Sequence, residues 1–178
     1  TDLDQQIVLG ADGSVARLEV RGRTPQGDAA ETYSVANGRY AFKSPVDKGE
    51  GVTRANLAYA AFGGTVDATI MLTDALRRSP DGALDLLPSG RLQLEKLTTA
   101  EFASGRVART LTAYAVTGLG FAPMPVWYDG DRFFGLINVV SYVPERWKQA
   151  VPALSKAQDE ALAARAPELL ARLAKKPK

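Results

Sequence analysis

The chain has 178 residues, of which 46% are hydrophobic, and its 22 basic and 20 acidic residues give a formal net charge of +2. This balance gives no electrostatic reason to expect a nucleic-acid or acidic-membrane partner, and no apolar run approaches the roughly 20 residues that cross a bilayer. The sequence has no cysteine and no histidine, which excludes disulfides, thiol nucleophiles, histidine metal sites and Ser-His-Asp catalysis. The length favours one domain with a single core.

The N-terminal part is predicted to consist of short strands joined by tight turns. In Val15–Arg21 apolar and charged residues alternate, with the period of two that is typical of a half-solvated antiparallel strand. Asn37-Gly38 supplies two adjacent residues that tolerate positive φ, as a tight hairpin requires. The polar stretch Ser44–Gly51 is predicted to be a loop, and the period of Thr53–Phe62 is ambiguous between helix and strand.

One internal helix is predicted at about residues 66–78. Thr65 can cap it, Asp67 lies in its first turn, and Arg77 and Arg78 lie in its last turn, which is the charge distribution that the helix dipole favours. An apolar stripe gives this helix one buried face, formed by Val66, Thr69, Ile70, Thr73 and Leu76.

Further strand-like runs follow this helix, and the character of the sequence changes at Pro144. Beyond it, apolar residues recur at helical spacing, while Pro152 and Pro167 predict two or three helical pieces rather than one. The predicted strands are Ala83–Leu87, Leu92–Leu97, Val107–Val116, Val126–Tyr128, Phe133–Ile137 and Val139–Val143.

This order of elements predicts the α+β class. Strands joined by tight turns must be antiparallel, so we expect a large curved antiparallel sheet, either an open half-barrel or barrel-like, with one internal helix and a C-terminal helical segment. Residues 1–143 would form the sheet domain, and residues 144–178 the helical segment with a polar tail or linker.

No motif of a catalytic, cofactor-binding or metal site is present. Asp129-Gly130-Asp131 could offer oxygen ligands to Ca²⁺, but a hairpin turn accounts for both aspartates and is favoured. Asp47, Glu50 and Glu145 could in principle pair as acid and base, but no spacing supports this, and solvated surface positions are favoured.

A set of large apolar side chains has two interpretations. The first is ordinary packing within the core, which is favoured. The second is an apolar ligand pocket under the sheet. The residues of this predicted pocket or packing face are Phe62, Met71, Phe121, Trp127, Phe133 and Tyr142.

One stretch resembles a known family. Residues 114–123 (YAVTGLGFAP), followed by Pro125-Val126-Trp127, an acidic turn and Phe133-Phe134, resemble the N-terminal region of exported bacterial amidohydrolases of the imidazolonepropionase-like group. The stretch from Asn37 to Pro45 and the segment Trp147–Leu154 are also similar to that region, and the resemblance extends over residues 6–174. In such enzymes this region precedes a metal-dependent barrel whose metal is bound by histidines, which this chain lacks.

The resemblance therefore implies a non-catalytic accessory domain of an exported metal-dependent amidohydrolase, with a periplasmic or secreted location. Its partner would be a catalytic barrel on which it packs or which it caps. The alternative is a stand-alone periplasmic carrier or sensor of hydrophobic molecules with a half-barrel fold, whose partner would be a lipid-like small molecule. Neither hypothesis assigns a catalytic residue or a cofactor to this chain.

Overall fold

The structure is a computed structural model that describes residues 2–25, 27–61, 65–138 and 140–174, with side chains described as far as residue 167. It contains thirteen strands, two α-helices and one short 3₁₀ helix within these residues. The elements in chain order are β1 (Asp2–Leu9), β2 (Val15–Thr24), β3 (Gly27–Asp28), β4 (Glu31–Ala36), β5 (Arg39–Lys43), β6 (Lys48–Val52), β7 (Leu57–Tyr59), α1 (Val66–Arg78), β8 (Ala83–Leu87), β9 (Arg91–Ser104), β10 (Val107–Thr117), β11 (Met124–Asp129), β12 (Arg132–Ile137), β13 (Ser141–Tyr142), the 3₁₀ helix (Glu145–Ala150) and α2 (Val151–Ala174).

The chain divides into two compact units, residues 1–93 (unit 1) and residues 94–178 (unit 2). Unit 1 contains a six-stranded antiparallel sheet of order β1-β2-β4-β5-β6, in which β3 pairs with β2. The remaining strands follow the order β13-β12-β11-β10-β9-β8-β7. The first residues of β9 pair with β8 inside unit 1, and the rest of β9 belongs to unit 2.

A row of large side chains crosses the sheet of unit 1. Ile7 pairs with Leu18, Leu18 with Tyr33, Tyr33 with Phe42, and Phe42 with Gly49. Because directly paired residues of an antiparallel sheet lie on the same face, this row covers one face of five consecutive strands. Tyr33, Phe42 and their neighbours form the core of unit 1 on this face.

Strand β6 begins at Lys48, so the loop predicted over Ser44–Gly51 is wrong from Lys48 onwards, whereas residues 44–47 do form the connection between β5 and β6. Two aromatic rings of β5 explain the difference. A Cβ added at Gly49 would lie 2.6 Å from the Phe42 ring, and one added at Gly51 would lie 2.7 Å from the Tyr40 hydroxyl. Glycine is therefore needed on β6 for the rings to lie across it, and the rings supply the packing that a glycine lacks.

The predicted hairpin and the predicted helix both form. Asn37 and Gly38 have φ values of 50° and 72°, as a tight turn between β4 and β5 requires. Helix α1 spans Val66–Arg78. Thr65 stands at its N-cap position, but its side chain makes no capping hydrogen bond. The helix connects β7 to β8, which pair in parallel, a crossover that the prediction of hairpins alone did not include.

Unit 2 is built around Trp127 and Trp147. Trp127 packs edge-on against Phe102 with ring centroids 5.3 Å apart, and Trp147 packs edge-on against Phe134 at the same distance. Leu154 of α2 completes this buried cluster. Helix α2 continues through Pro167, and Pro152 lies at its second residue, where a proline removes no hydrogen bond within the helix.

One buried glutamine joins α2 to the strands of unit 2. The Trp127 indole Nε1–H donates to Gln158 Oε1 at 3.1 Å, and Gln158 Nε2 donates to the Ile137 carbonyl at 3.0 Å. The single amide thus satisfies a donor and an acceptor that would otherwise be buried without partners.

The α+β class is confirmed: antiparallel sheet dominates, with one internal and one C-terminal helix. Neither sheet closes into a barrel within the described part of the chain. None of the described helices is long and apolar enough to cross a membrane. Residues 175–178, predicted to be a polar tail, lie outside the described residues.

Replacing Gln158 tests the hydrogen-bonded contact between α2 and the strands of unit 2. Gln158→Leu keeps most of the side-chain volume but leaves the indole N–H and the Ile137 carbonyl without partners, so the free energy of unfolding should fall by about 2–4 kcal/mol. Both tryptophans lie in unit 2, so urea titration followed by tryptophan fluorescence reports on this unit. The exposed neighbour Glu160→Leu should stay within about 0.5 kcal/mol of the parent; equal losses in the two variants would contradict the assignment.

Candidate functional site

Unit 1 contains a cavity of about 610 Å³ between its six-stranded sheet and helix α1. Cavities of about 300–1,000 Å³ are typical of small-molecule sites. This cavity is therefore the candidate site. Its walls come from β1, β2, β4, the segment from Thr53 to Tyr59, and α1 with the residues that follow it.

One face of α1 forms a wall of the cavity. Ala68, Met71, Leu72 and Ala75 line it, and their spacing of three, one and three residues places them in one stripe along the helix. Arg78 continues this stripe by one further turn. Thr73 and Leu76 are the helix residues that are fully buried, and they lie outside this stripe. Helix α1 thus has two apolar faces, of which one packs and the other faces the cavity.

The opposite wall is the face of the sheet that carries the cross-strand row. Ile7, Leu18 and Tyr33 line the cavity from this row, and Val15 and Val35 lie beside them. Several of these apolar side chains remain only half-buried although they point inward. The half-buried apolar lining residues larger than alanine are Ile7, Val15, Val35, Leu57, Met71 and Leu72. The sheet and the helix therefore leave apolar surface between them that their own side chains do not cover.

The C-terminal end of α1 and the β1–β2 turn make the exposed, polar end of the cavity. The Asp12 carboxylate oxygen Oδ1 accepts hydrogen bonds from the Ser14 hydroxyl at 2.6 Å and from the Ser14 backbone N–H at 3.0 Å. The hydrogen bond from the Ser14 hydroxyl has the largest effect and, together with the bond from the Ser14 N–H, holds the pKa of Asp12 below its ordinary value. The nearby Arg78 lowers this pKa further. Arg78 donates from Nη2 to the Gly13 carbonyl at 3.3 Å. Asp12 is therefore ionised at neutral pH.

A second group of charges beside this end is internally paired. Arg54, which lines the cavity, donates to Asp85 Oδ2 at 2.7 Å, and Arg91 donates to Asp85 Oδ1 at 3.1 Å. Arg91 also donates to Asp81 at 3.1 Å, and Asp81 in turn accepts from the Ser79 hydroxyl at 2.8 Å. Two arginines and two aspartates thus neutralise one another, and the guanidinium of Arg54 is paired with the Asp85 carboxylate.

Tyr59 ties the cavity to a buried carboxylate. Its ring stacks on Tyr33 with centroids 5.2 Å apart, and its hydroxyl donates to Glu31 Oε2 at 2.7 Å. Glu31 is 2% exposed, so its carboxylate depends on donors within the protein. Burial first, and then the hydrogen bond to Glu31, raise the pKa of Tyr59 well above its usual range. The phenol therefore stays protonated at neutral pH and serves as a structural donor.

The residues predicted as a pocket or packing face are distributed over both units. Met71 lines the cavity. Trp127 is fully buried in the core of unit 2, and the ring of Phe133 packs edge-on against Tyr128. Phe121 and Tyr142 are exposed, and Phe62 lies outside the described residues. The structure thus places Met71 in unit 1 and the other four described residues in unit 2.

The acidic residues weighed as ligands or as acid and base have local partners. Asp129 pairs with the guanidinium of Arg109, and Gly130, in the turn after it, has a φ of 59°, which fits the turn interpretation. Glu50 lies 4.0 Å from Arg39, and Glu145 lies 3.9 Å from Lys148. Within the described residues, no cluster of three or more acidic side chains could hold a metal ion.

Most of the cavity lining was missed by reasoning from the sequence. The sequence analysis predicts one buried face of α1, formed by Val66, Thr69, Ile70, Thr73 and Leu76. The same segment also contains a second apolar stripe, formed by Ala68, Met71, Leu72 and Ala75. A helix with apolar residues on two faces must cover both or leave one against a space. That signal could have located the cavity wall, although not the cavity itself.

Replacing Tyr59 tests the buried pair. Tyr59→Phe removes the donor to Glu31 and should lower the free energy of unfolding by about 1–3 kcal/mol at neutral pH. The folded chain holds the Tyr59 proton more tightly than the unfolded chain does. The stability that the protonated phenol contributes is therefore complete below the ordinary tyrosine pKa of 10.0, and it is lost as the pH rises above that value.

Thermal melts followed by circular dichroism across the alkaline range measure both effects. Tyr59→Phe should melt at a lower temperature than the parent at neutral pH and lose less stability as the pH rises. The exposed Tyr142→Phe should follow the parent curve. A Tyr59→Phe variant with the parent's neutral stability would show that the hydrogen bond contributes nothing.

No protein-family model, no curated protein and no solved structure matches this chain. A function for it therefore has to be inferred from its own residues and their geometry.

Proposed function

We propose that this chain is a non-catalytic binding protein whose unit 1 holds a small apolar molecule between its sheet and helix α1. The observation that carries the proposal is the 610 Å³ cavity lined by half-buried apolar side chains from both walls. Covering that surface with a ligand would contribute about 25 cal/mol for each Å² removed from water.

The lining has the composition of a ligand site. Apolar side chains such as Leu18, Leu57 and Met71 line it together with a smaller number of polar groups. Small-molecule pockets combine such apolar walls with a few polar groups that orient the ligand. A catalytic role draws no support from the lining, since Asp12, its one carboxylate, is exposed and bonded to Ser14.

Filling the cavity tests this proposal. The neutral dye N-phenylnaphthylamine fluoresces when it enters an apolar site, and we expect it to bind the parent chain at one saturable site. Ala75→Phe places a ring in the cavity from α1 and should weaken binding by roughly tenfold or more, because ring and dye compete for the same volume.

Ala163→Phe is the matched control, since it adds the same ring at an exposed position of α2 in unit 2. It should leave the dissociation constant unchanged. Melting curves show whether Ala75→Phe folds. If a folded Ala75→Phe variant binds the dye as the parent does, the dye is not in this cavity and the proposal fails.

A second candidate is the accessory domain of an exported metal-dependent amidohydrolase, which the sequence resemblance implies. A specific feature of unit 2 favours it. Phe121 and Leu119 are exposed in the connection from β10 to β11, and Val140 is exposed between β12 and β13. In an antiparallel sheet these two connections lie at the same end, so unit 2 carries an exposed apolar group there that a catalytic barrel would cover.

Co-expression tests this second candidate. The chain would be produced together with the barrel encoded downstream of it in the same locus, as two polypeptides, and association would be followed by size-exclusion chromatography. Phe121→Ser and Val140→Ser should each weaken association by about tenfold. Val46→Ser, at a position that is 91% exposed in unit 1, should not. A locus without a barrel, or equal effects of all three changes, would refute the candidate.

A further inference from the structure

The charged groups that line the cavity differ in how well the protein satisfies them. Three lining residues carry a charge, Asp12, Arg54 and Arg78. Arg54 is bonded to Asp85. Asp12 receives two hydrogen bonds from Ser14 on Oδ1. Arg78 has five N–H donors, and its one hydrogen bond among the described residues goes to the neutral Gly13 carbonyl.

Arg78 is therefore the charged group at the cavity that has the least compensation. The Asp12 carboxylate interacts electrostatically with Arg78 and lowers the local positive charge, but the hydrogen bond of Arg78 goes to the Gly13 carbonyl and not to this carboxylate. An arginine guanidinium offers paired donors in a plane that match a carboxylate or a phosphate. Because Arg54 is paired with Asp85, Arg78 is the basic lining residue left to pair with an anionic group.

Arg78 lies at the end of the apolar stripe of α1, and its charge is therefore at one end of the cavity. The stripe that faces the cavity is apolar from Ala68 to Ala75 and ends in Arg78 at the last helical residue. Arg78 and Asp12 are exposed, whereas Met71 and Leu72 are half-buried. The cavity thus changes from apolar to charged along one axis, and its charged end meets solvent.

We infer that the ligand of this cavity is a single-chain amphiphile with an anionic head, whose tail lies along Met71, Leu72 and Ala75 and whose head pairs with Arg78. The inference rests on the proposed function and names the class of molecule that the same site takes. A neutral apolar ligand would leave the guanidinium unused, and a cationic head would be repelled by it.

Ligands with one tail and different heads test the inference. Isothermal titration calorimetry of the full chain would compare decanoate, decyl phosphate, decanol and decyltrimethylammonium. For an ion pair at an exposed rim, we expect the better of the two anions to bind about 3- to 5-fold more tightly than decanol. Decyltrimethylammonium should bind most weakly, and the two anions distinguish a carboxylate head from a phosphate head.

Variants assign the preference to Arg78. Arg78→Met should abolish the advantage of the anions over decanol. Arg77→Met removes the same charge from the same helical turn at a position outside the lining, and should retain the advantage. Asp12→Asn keeps the acceptor for Ser14 but removes the negative charge, and should strengthen anion binding by about twofold.

The outcomes separate this inference from the proposed function. If decanol and the anions all fail to bind the parent chain, both are wrong. If decanol binds as well as either anion, or if Arg78→Met and Arg77→Met weaken anion binding equally, the cavity is apolar without head selection and only this inference is overturned. If Arg78→Met does not fold, Asp12→Asn decides, since unchanged anion affinity in that variant would refute the role of charge at the rim.

Discussion

The contact of Tyr59 with Tyr33 and Glu31 determines how unit 1 is arranged. Tyr59 stacks on Tyr33, which belongs to the cross-strand row, and donates to a carboxylate that is buried on the same sheet. This fixes β7 against the sheet, and because β7 pairs with β8 and α1 connects the two, the helix can only begin and end within reach of these strands. Two hydrogen bonds also join α1 to the β1–β2 hairpin of this sheet: the Thr65 N–H donates to Gln5 Oε1 at 3.0 Å, and Arg78 Nη2 donates to the Gly13 carbonyl at 3.3 Å.

The cavity follows from that constraint. Cores usually close until side chains interdigitate, because each void forfeits dispersion contacts. Here two residues on the cavity face of α1, Ala68 and Ala75, are small, and a cavity of about 610 Å³ separates this face from the row of sheet residues. Larger residues at these positions would fill the space. The apolar walls and the Arg78 rim together have the character of a site for an amphiphile.

The core of unit 2 is filled by its own side chains, unlike the space between the sheet and α1 in unit 1. Its two tryptophans are fully buried, each against another aromatic ring, and Gln158 satisfies the buried polar groups between α2 and the strands. Packing within the core therefore accounts for Trp127 and Phe134, two of the aromatic residues of β11 and β12. Phe121 is different because it is exposed, which gives unit 2 a surface feature rather than a pocket.

The sequence by itself determined the local elements, because their signals are local. Asn37-Gly38 fixed a turn through its backbone preferences, and Thr65 to Arg78 fixed the bounds of α1 through breakers and terminal charges. It also excluded histidine and cysteine chemistry outright. Only the tertiary structure decided that β6 is a strand. Glycine packs poorly in a strand, and at Gly49 and Gly51 the rings of β5 lie across the backbone and supply that packing. The tertiary structure likewise decided that the second stripe of α1 faces a space and that Arg78 stands at its mouth, since whether two apolar walls touch depends on long-range pairings that no local pattern encodes.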